Sequence, residues 1–225
     1  MKPGQLITRW WQQVVRGELC SPQAIVAASR VENPDPAQAS DRFLSIPPDV
    51  KWDAPERLRA PNFMLTDSFA RQWDRADWQH VDPRLMRWSA LFIEYARKRQ
   101  IPLYVHCAMR TEAEQADAVA RKVSKTPYPR SGHNIGEAVD IVHGVYHWDM
   151  SRQEWNMLGV LGRLALDRLN ATLPKVQQLQ LTWGGDWSDP WDPAHWEISD
   201  YKARIKRLPL QAPVRYTPRR ILRMG

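Results

Sequence analysis

The chain has 225 residues and a mass of 26.2 kDa, with 43% hydrophobic and 25% charged residues. With 10 Gly and 18 Pro it is not collagen-like, and 12 Trp argue against a disordered chain. No apolar run reaches the length of a transmembrane helix, and the two cysteines, Cys20 and Cys107, are too few for a disulfide scaffold.

The net charge of +7 is concentrated at the carboxyl end. Residues 202–225 contain eight basic residues and no acid, which leaves a net charge of −1 for residues 1–201. We predict a basic C-terminal tail over residues 202–225 that is attracted to polyanions. The alternative is that this tail packs on the domain or in an assembly contact with another chain.

The first 61 residues are predicted to form an N-terminal helix and a connector. Apolar residues recur at helical spacing over residues 5–19, and seven prolines follow within residues 20–62. The main domain is therefore predicted to span residues 62–201. No secretory signal is recognisable at the amino terminus, so we expect synthesis in the cytoplasm without a signal peptide.

Helices and short strands are interleaved from residue 82 onward. Asp82 before Pro83 indicates a helix start, as do the pairs Thr111/Glu114 and Ser151/Glu154, which fit the capping box. The predicted helices end near residues 100, 122 and 170, and the predicted strands cover residues 101–109, 137–143, 179–183 and 195–198. The strands lack the regular rhythm of a doubly wound sheet, so we predict an α+β fold.

Three segments combine residues that could carry out catalysis. In SGHNIGEAVD (residues 131–140), glycines separate His133 from Asp140, and in DPAHWE (residues 192–197), Asp192 precedes His195 by three positions. In MRTEAEQ (residues 109–115), Arg110 stands where a predicted strand meets a helix.

These residue types point to a zinc site. A catalytic zinc ion takes three protein ligands and keeps a position for water, and His133, Asp140 and His195 supply two nitrogens and one oxygen. Zinc lowers the pKa of such a water to about 7, and a nearby carboxylate can then accept its proton. Asp192 is the candidate for this base, and Arg110 is the candidate donor to the developing oxyanion.

All three segments resemble a known family, the third of them through a strand and Arg110 followed by Gln115, as in the arginine segment of that family. SGHNIGEAVD is similar to the SxHxxGxAxD signature of the zinc D-alanyl-D-alanine carboxypeptidases, which include vancomycin-resistance dipeptidases and the L-alanyl-D-glutamate endolysins of bacteriophages. The segment WGGDWSDPWDPAHWE, from Trp183 to Glu197, resembles the closing motif of the endolysin-like branch. The resemblance covers about residues 80 to 200, in the order found in the family.

The resemblance implies a small antiparallel sheet with flanking helices around a single zinc site. It implies Zn²⁺ on His133, Asp140 and His195, with Asp192 as general base and Arg110 polarising the scissile carbonyl. Three further residues, in or beside the matching segments, are predicted to bind substrate: Ser131, Gln115 and Trp187. The four other histidines of the domain, at positions 80, 106, 143 and 147, are assigned structural roles.

The predicted function is zinc-dependent hydrolysis of the peptide stem of bacterial peptidoglycan, with L-alanyl-D-glutamate endopeptidase activity favoured by the C-terminal motif. Two alternatives stay open. One is a D,D-carboxypeptidase of the same family, and the other is a non-catalytic virion or assembly component that retains the fold. The resemblance also implies action on the cell wall after release or delivery, as by a phage-encoded enzyme.

Overall fold

The computed structural model describes residues 54–206. The predicted helix at residues 5–19 and the tail beyond residue 206 lie outside this range. None of the helices within residues 54–206 is long and apolar enough to cross a membrane.

Five helices and four strands make up the described part of the chain. In chain order they are α1 (Asp67–Gln72), α2 (Pro83–Lys98), β1 (Leu103–Cys107), α3 (Glu112–Ala120), β2 (Ala138–His143), α4 (Arg152–Asn170), β3 (Leu181–Trp183), β4 (His195–Ile198) and α5 (Tyr201–Ile205). The predicted α+β class is confirmed. Only α1 and α5 were not predicted, because one turn or two of helix carries too little periodicity to be recognised.

The helix starts follow the predicted capping signals. The Asp82 side chain accepts a hydrogen bond from the Arg84 amide at the start of α2. Thr111 and Ser151 form complete capping boxes at the starts of α3 and α4, with the glutamates three residues later bonding back to the cap. These side chains satisfy amide groups that a helix leaves unpaired in its first turn.

The strands form one antiparallel sheet in the order β1-β2-β4-β3. One face of this sheet packs on α2 and α4 to form the core, where Trp196 of β4 contacts Trp88 of α2 at 4.9 Å between ring centroids. Gly159 and Gly162 of α4 lie against the rings of Trp183 and Trp196, where a larger residue would collide with the indoles. The other face of the sheet is free to carry polar side chains.

The folded part begins before the predicted boundary at residue 62. Leu58 is completely buried in the core, and its carbonyl accepts a hydrogen bond from His143 Nε2 at 2.9 Å. Arg57 forms an ion pair with Glu154 of α4 at 2.6 Å. From residue 54 onward, Pro55 and Pro61 therefore stand in a packed segment rather than in a connector, which the density of proline alone does not distinguish.

The start of the predicted basic tail also belongs to the fold. Arg204 of α5 forms ion pairs with Glu137 and with Asp200, the latter at 2.6 Å. At least one of the eight tail cations is thus neutralised by carboxylates of the domain.

Candidate metal centre

Antiparallel register places the predicted ligands on one face of the sheet. Asp140 of β2 pairs with His195 of β4 and with Cys107 of β1. Directly paired residues project to the same face, and so do residues two apart on one strand. Glu197 therefore lies on the same face as His195, opposite the face that packs on α2 and α4.

His133 is delivered by a short turn of helix, Gly132–Ile135, that precedes β2. Ser131 caps this turn by accepting a hydrogen bond from the His133 amide, and Gly136 ends it with a left-handed φ of 71°. A side chain at Gly136 would overlap the carbonyl oxygen of His80. The glycine is thus required both by the backbone angle and by the close approach.

Two imidazoles and one carboxylate converge at the centre of this face. Asp140 Oδ1 lies 3.2 Å from His133 Nε2 and 3.0 Å from His195 Nδ1. The two imidazole nitrogens are 3.3 Å apart. Residues from two distant segments therefore present three potential ligand atoms to a common point.

The far nitrogen of each imidazole is held by an acceptor. His133 Nδ1 lies 2.9 Å from the carbonyl of Ala108, and His195 Nε2 lies 3.1 Å from Glu197 Oε2. Because a carbonyl and a carboxylate only accept, each far nitrogen carries a proton, and the nitrogens that face Asp140 are the ones that could bind a metal.

Charge at the centre favours a cation. Burial alone would lower the pKa of both imidazoles, but the Asp140 carboxylate outweighs it, raising the pKa of His133 to about 10 and raising that of His195 as well. Burial would raise the pKa of Asp140, but the facing His133 and His195 hold it well below its usual range. The cluster is therefore built around positive charge, which a metal ion supplies in place of protons.

Asp192 lies beside this cluster. Its carboxylate is close enough to Asp140 and His195 for the three to form one candidate metal-binding group. Burial raises the pKa of Asp192, and the negative charge of Asp140 raises it further. The backbone turn from Asp192 to His195, closed by a 3.1 Å hydrogen bond, sets the distance between them.

Arg110 also reaches the cluster. Its Nη2 lies 3.5 Å from Asp140 Oδ2, and its Nη1 donates to Gln115 Oε1 at 3.1 Å. Gln115 is completely buried, and its amide nitrogen donates to the Thr126 carbonyl. Such a side chain has no surface for a ligand, so the predicted substrate contact of Gln115 is corrected to a positioning role toward Arg110.

The remaining predicted contacts differ in exposure. Trp187 is partly exposed, with its ring centroid 5.4 Å from that of His195, and it can form a wall of the site. Ser131 is nearly buried and engaged in capping, so its place in the structure is that of a residue orienting His133.

Two residues near the centre were not recognised from the sequence. Glu197 was quoted only as part of a motif, although it holds His195. Cys107 is not among the predicted site residues, yet its Sγ lies 3.7 Å from His133 Nδ1 and 3.5 Å from Arg110 Nη2. With His133 and Asp140 it forms a second candidate metal-binding group. The Cys107 Sγ contacts the His133 nitrogen that is already bonded to the Ala108 carbonyl, so we expect the His133, Asp140 and His195 set to suit a metal better.

His143 has the structural role predicted for it. It is completely buried, and its Nδ1 accepts hydrogen bonds at 3.1 Å from the amides of Val145 and Tyr146 while Nε2 donates to Leu58. Both nitrogens are therefore occupied at the end of β2, on the face opposite Asp140.

Replacing Glu197 with glutamine is expected to weaken metal binding by about 10- to 100-fold, the usual cost of losing a carboxylate that orients a ligand imidazole. Competition with a chromophoric chelator measures this affinity. The matched control is Glu94→Gln on α2, where the carboxylate pairs with Arg97 and the expected change is nil. Equal affinity of the Glu197→Gln variant and the unmodified protein would show that the carboxylate does not support the ligand.

Comparisons with known proteins found a matching family and a similar solved structure. Residues 124–198 match the family described as D-alanyl-D-alanine carboxypeptidase, which confirms the resemblance predicted from the sequence. A crystal structure of the Serratia marcescens L-Ala D-Glu endopeptidase ChiX is also similar, at 26% identity and a TM-score of 0.44, covering 60% of this chain and 91% of that chain. No curated protein was found to match.

Proposed function

We propose that this chain, whose residues 124–198 match the family described as D-alanyl-D-alanine carboxypeptidase, is a zinc-dependent peptidase that hydrolyses the peptide stem of bacterial peptidoglycan. The observation that carries the proposal is the convergence of His133, Asp140 and His195, with 3.0–3.3 Å between their facing atoms. A carboxylate and a guanidinium stand beside this cluster.

The donor set suits zinc in chemistry and in spacing. Two neutral imidazoles and a carboxylate are typical ligands of a catalytic zinc site. Zinc bonds of about 2.0–2.1 Å at tetrahedral angles separate neighbouring ligand atoms by about 3.3–3.4 Å. The observed separations differ from this value by a few tenths of an ångström, so little movement is needed to hold the ion.

The chain's own residues supply the proton transfer and part of the charge stabilisation. When bound, zinc would polarise the scissile carbonyl and lower the pKa of a water molecule. Asp192 would take the proton from the attacking water and return it to the leaving amine. Arg110, held by Gln115, would donate to the oxygen of the scissile carbonyl as negative charge develops there.

We favour cleavage between L-alanine and D-glutamate, because the segment from Trp183 to Glu197 resembles the endolysin-like branch. A D,D-carboxypeptidase is the second candidate, supported by the description of the matched family. The partly exposed Trp187 beside His195 forms a wall that suits a peptide stem in either case.

Digestion of purified peptidoglycan by the zinc-loaded protein tests this proposal, with new amino termini identified by mass spectrometry. We expect new amino-terminal D-glutamate. Release of free D-alanine without new internal termini would instead indicate a carboxypeptidase. If the zinc-loaded protein releases no product, a non-catalytic assembly component is favoured. In that case, removal of zinc should leave the association with its partner unchanged.

The cationic C-terminal residues are proposed to assist delivery to the wall after synthesis in the cytoplasm. Deleting residues 209–225 removes four of the chain's basic residues and should weaken binding to anionic wall polymer, most strongly at low salt. Cosedimentation with purified wall at several salt concentrations measures the effect. Retention that is unchanged by the deletion would assign wall binding to the rest of the chain.

A further inference from the structure

A second group of polar and aromatic residues lies on the same sheet face as the metal centre. We call it the Tyr104 cluster; its members are Arg75, Tyr104, His106, His147 and Trp148. None of them takes part in the chemistry assigned to Asp192 and Arg110.

Strand register fixes the position of this cluster. Tyr104 of β1 pairs with Val142, two residues along β2 from Asp140, so Tyr104 and Asp140 share a face. At about 3.4 Å per residue, the two positions are about 7 Å apart along the strand. The register shifts between Val105 and Cys107, and this bulge inserts His106 as an extra residue between Tyr104 and the metal centre.

Side-chain contacts at hydrogen-bond distance link Arg75, His106, Tyr104 and His147 into a continuous hydrogen-bond chain. Arg75 Nη2 lies 3.0 Å from His106 Nε2, and His106 Nδ1 lies 3.3 Å from the Tyr104 hydroxyl. The same hydroxyl lies 3.0 Å from His147 Nδ1. Trp148 packs edge-on against His106 at 4.6 Å between ring centroids and is 47% exposed.

The hydrogen bonds of the Tyr104 cluster all point in one direction, from Arg75 to His147. Arg75 can only donate, so His106 Nε2 accepts and its Nδ1 carries the proton. His106 then donates to Tyr104, whose hydroxyl donates to His147 Nδ1, which leaves a proton on His147 Nε2. Burial and the charge of Arg75 lower the pKa of His106 to about 4, in agreement with a neutral ring. Both ends of the chain therefore present N–H groups.

Positive charge and backbone conformation complete the cluster. Arg75 is exposed, and within residues 54–206 no carboxylate pairs with its guanidinium. His147 has a left-handed φ of 53°, an unfavourable angle for a residue with a side chain, and its amide is bonded to the His143 carbonyl at 2.8 Å. The loop thus holds the imidazole of His147 against Tyr104.

We propose that the Tyr104 cluster binds a carboxylate of the substrate peptide, one or two residues from the scissile bond. The inference rests on the proposed function. A peptide residue spans about 3.3–3.6 Å when extended, so a strand-like substrate with its scissile bond at the metal reaches the cluster with a group two residues away. The exposed guanidinium of Arg75 and, at the other end of the hydrogen-bond chain, the N–H of His147 can each donate to an anion. Trp148 packs on His106, the ring that Arg75 contacts.

The test compares two stem peptides that differ at one group: a free carboxylate, or its carboxamide, on the residue that follows the glutamate. The unmodified protein is expected to favour the carboxylate by about 10- to 100-fold in kcat/KM, a range typical of a charge-assisted hydrogen bond. Arg75→Gln should abolish this preference, mainly by raising KM for the carboxylate peptide. Arg71→Gln, which removes an exposed charge one turn away in α1, should preserve it.

Equal loss for both peptides in the Arg75→Gln variant, or no preference in the unmodified protein, would overturn the proposal. Calorimetric binding of both peptides separates this failure from failure of the proposed function. If neither peptide is hydrolysed but the carboxylate form binds more tightly and only when Arg75 is present, the cluster is an anion site and the peptidase proposal is wrong. If both peptides bind equally, the cluster does not recognise a carboxylate.

Discussion

Replacing His133 with alanine is expected to abolish stoichiometric zinc binding and hydrolysis together. The substitution removes one of the three ligand atoms that converge within 3.0–3.3 Å, and two remaining protein ligands are too few for a catalytic zinc site. Metal analysis of the purified variant by mass spectrometry measures the loss directly. Peptidoglycan digestion under the same conditions measures the activity.

Two comparisons make the result specific. His80→Asn replaces an exposed histidine at a left-handed φ of 61°, which asparagine tolerates, and should leave zinc at one equivalent. Circular dichroism of the metal-free proteins shows whether His133→Ala keeps its fold. A folded variant that retains a full equivalent of zinc would refute His133 as a ligand.

Asp192→Asn should retain zinc but lose about 10²- to 10⁴-fold in kcat. An amide cannot accept the proton from the attacking water, and general acid–base catalysis contributes a factor of this size. Because the substitution preserves the size of the side chain, ligand positions should change little. Turnover and zinc content measured on the same preparation separate a lost base from a lost metal.

The control for this variant is Asp189→Asn, three residues earlier in the same loop. Asp189 is 87% exposed and lies 3.8 Å from Lys125, away from the centre. Its substitution should leave kcat unchanged. Full turnover by Asp192→Asn would mean that another group accepts the proton.

Much of the fold could be predicted because its signals are local. The N-cap residues Asp82, Thr111 and Ser151 each start a helix as predicted, since a capping side chain and the amides it binds lie within one turn. The boundary at residue 62 was wrong for the opposite reason. Leu58 is held by contacts with residues far away in sequence, such as His143, and no local pattern reports them.

In the candidate site, too, residues in local motifs could be predicted, whereas residues placed by tertiary contacts could not. His133, Asp140 and His195 stand in two short motifs with glycines that serve the turn, and the structure brings the three together. Gln115 could not be assigned correctly because its burial depends on the loop at residues 124–126. The approach of Cys107 and the insertion of His106 both follow from a bulge in β1, which residue types alone do not indicate.

Anomalous diffraction at the zinc edge from crystals of the zinc-loaded protein would test the central claim most directly. The account predicts one strong peak at bonding distance from His133 Nε2, His195 Nδ1 and an oxygen of Asp140. A peak elsewhere in the domain, or ligation through Cys107 in place of His195, would contradict it.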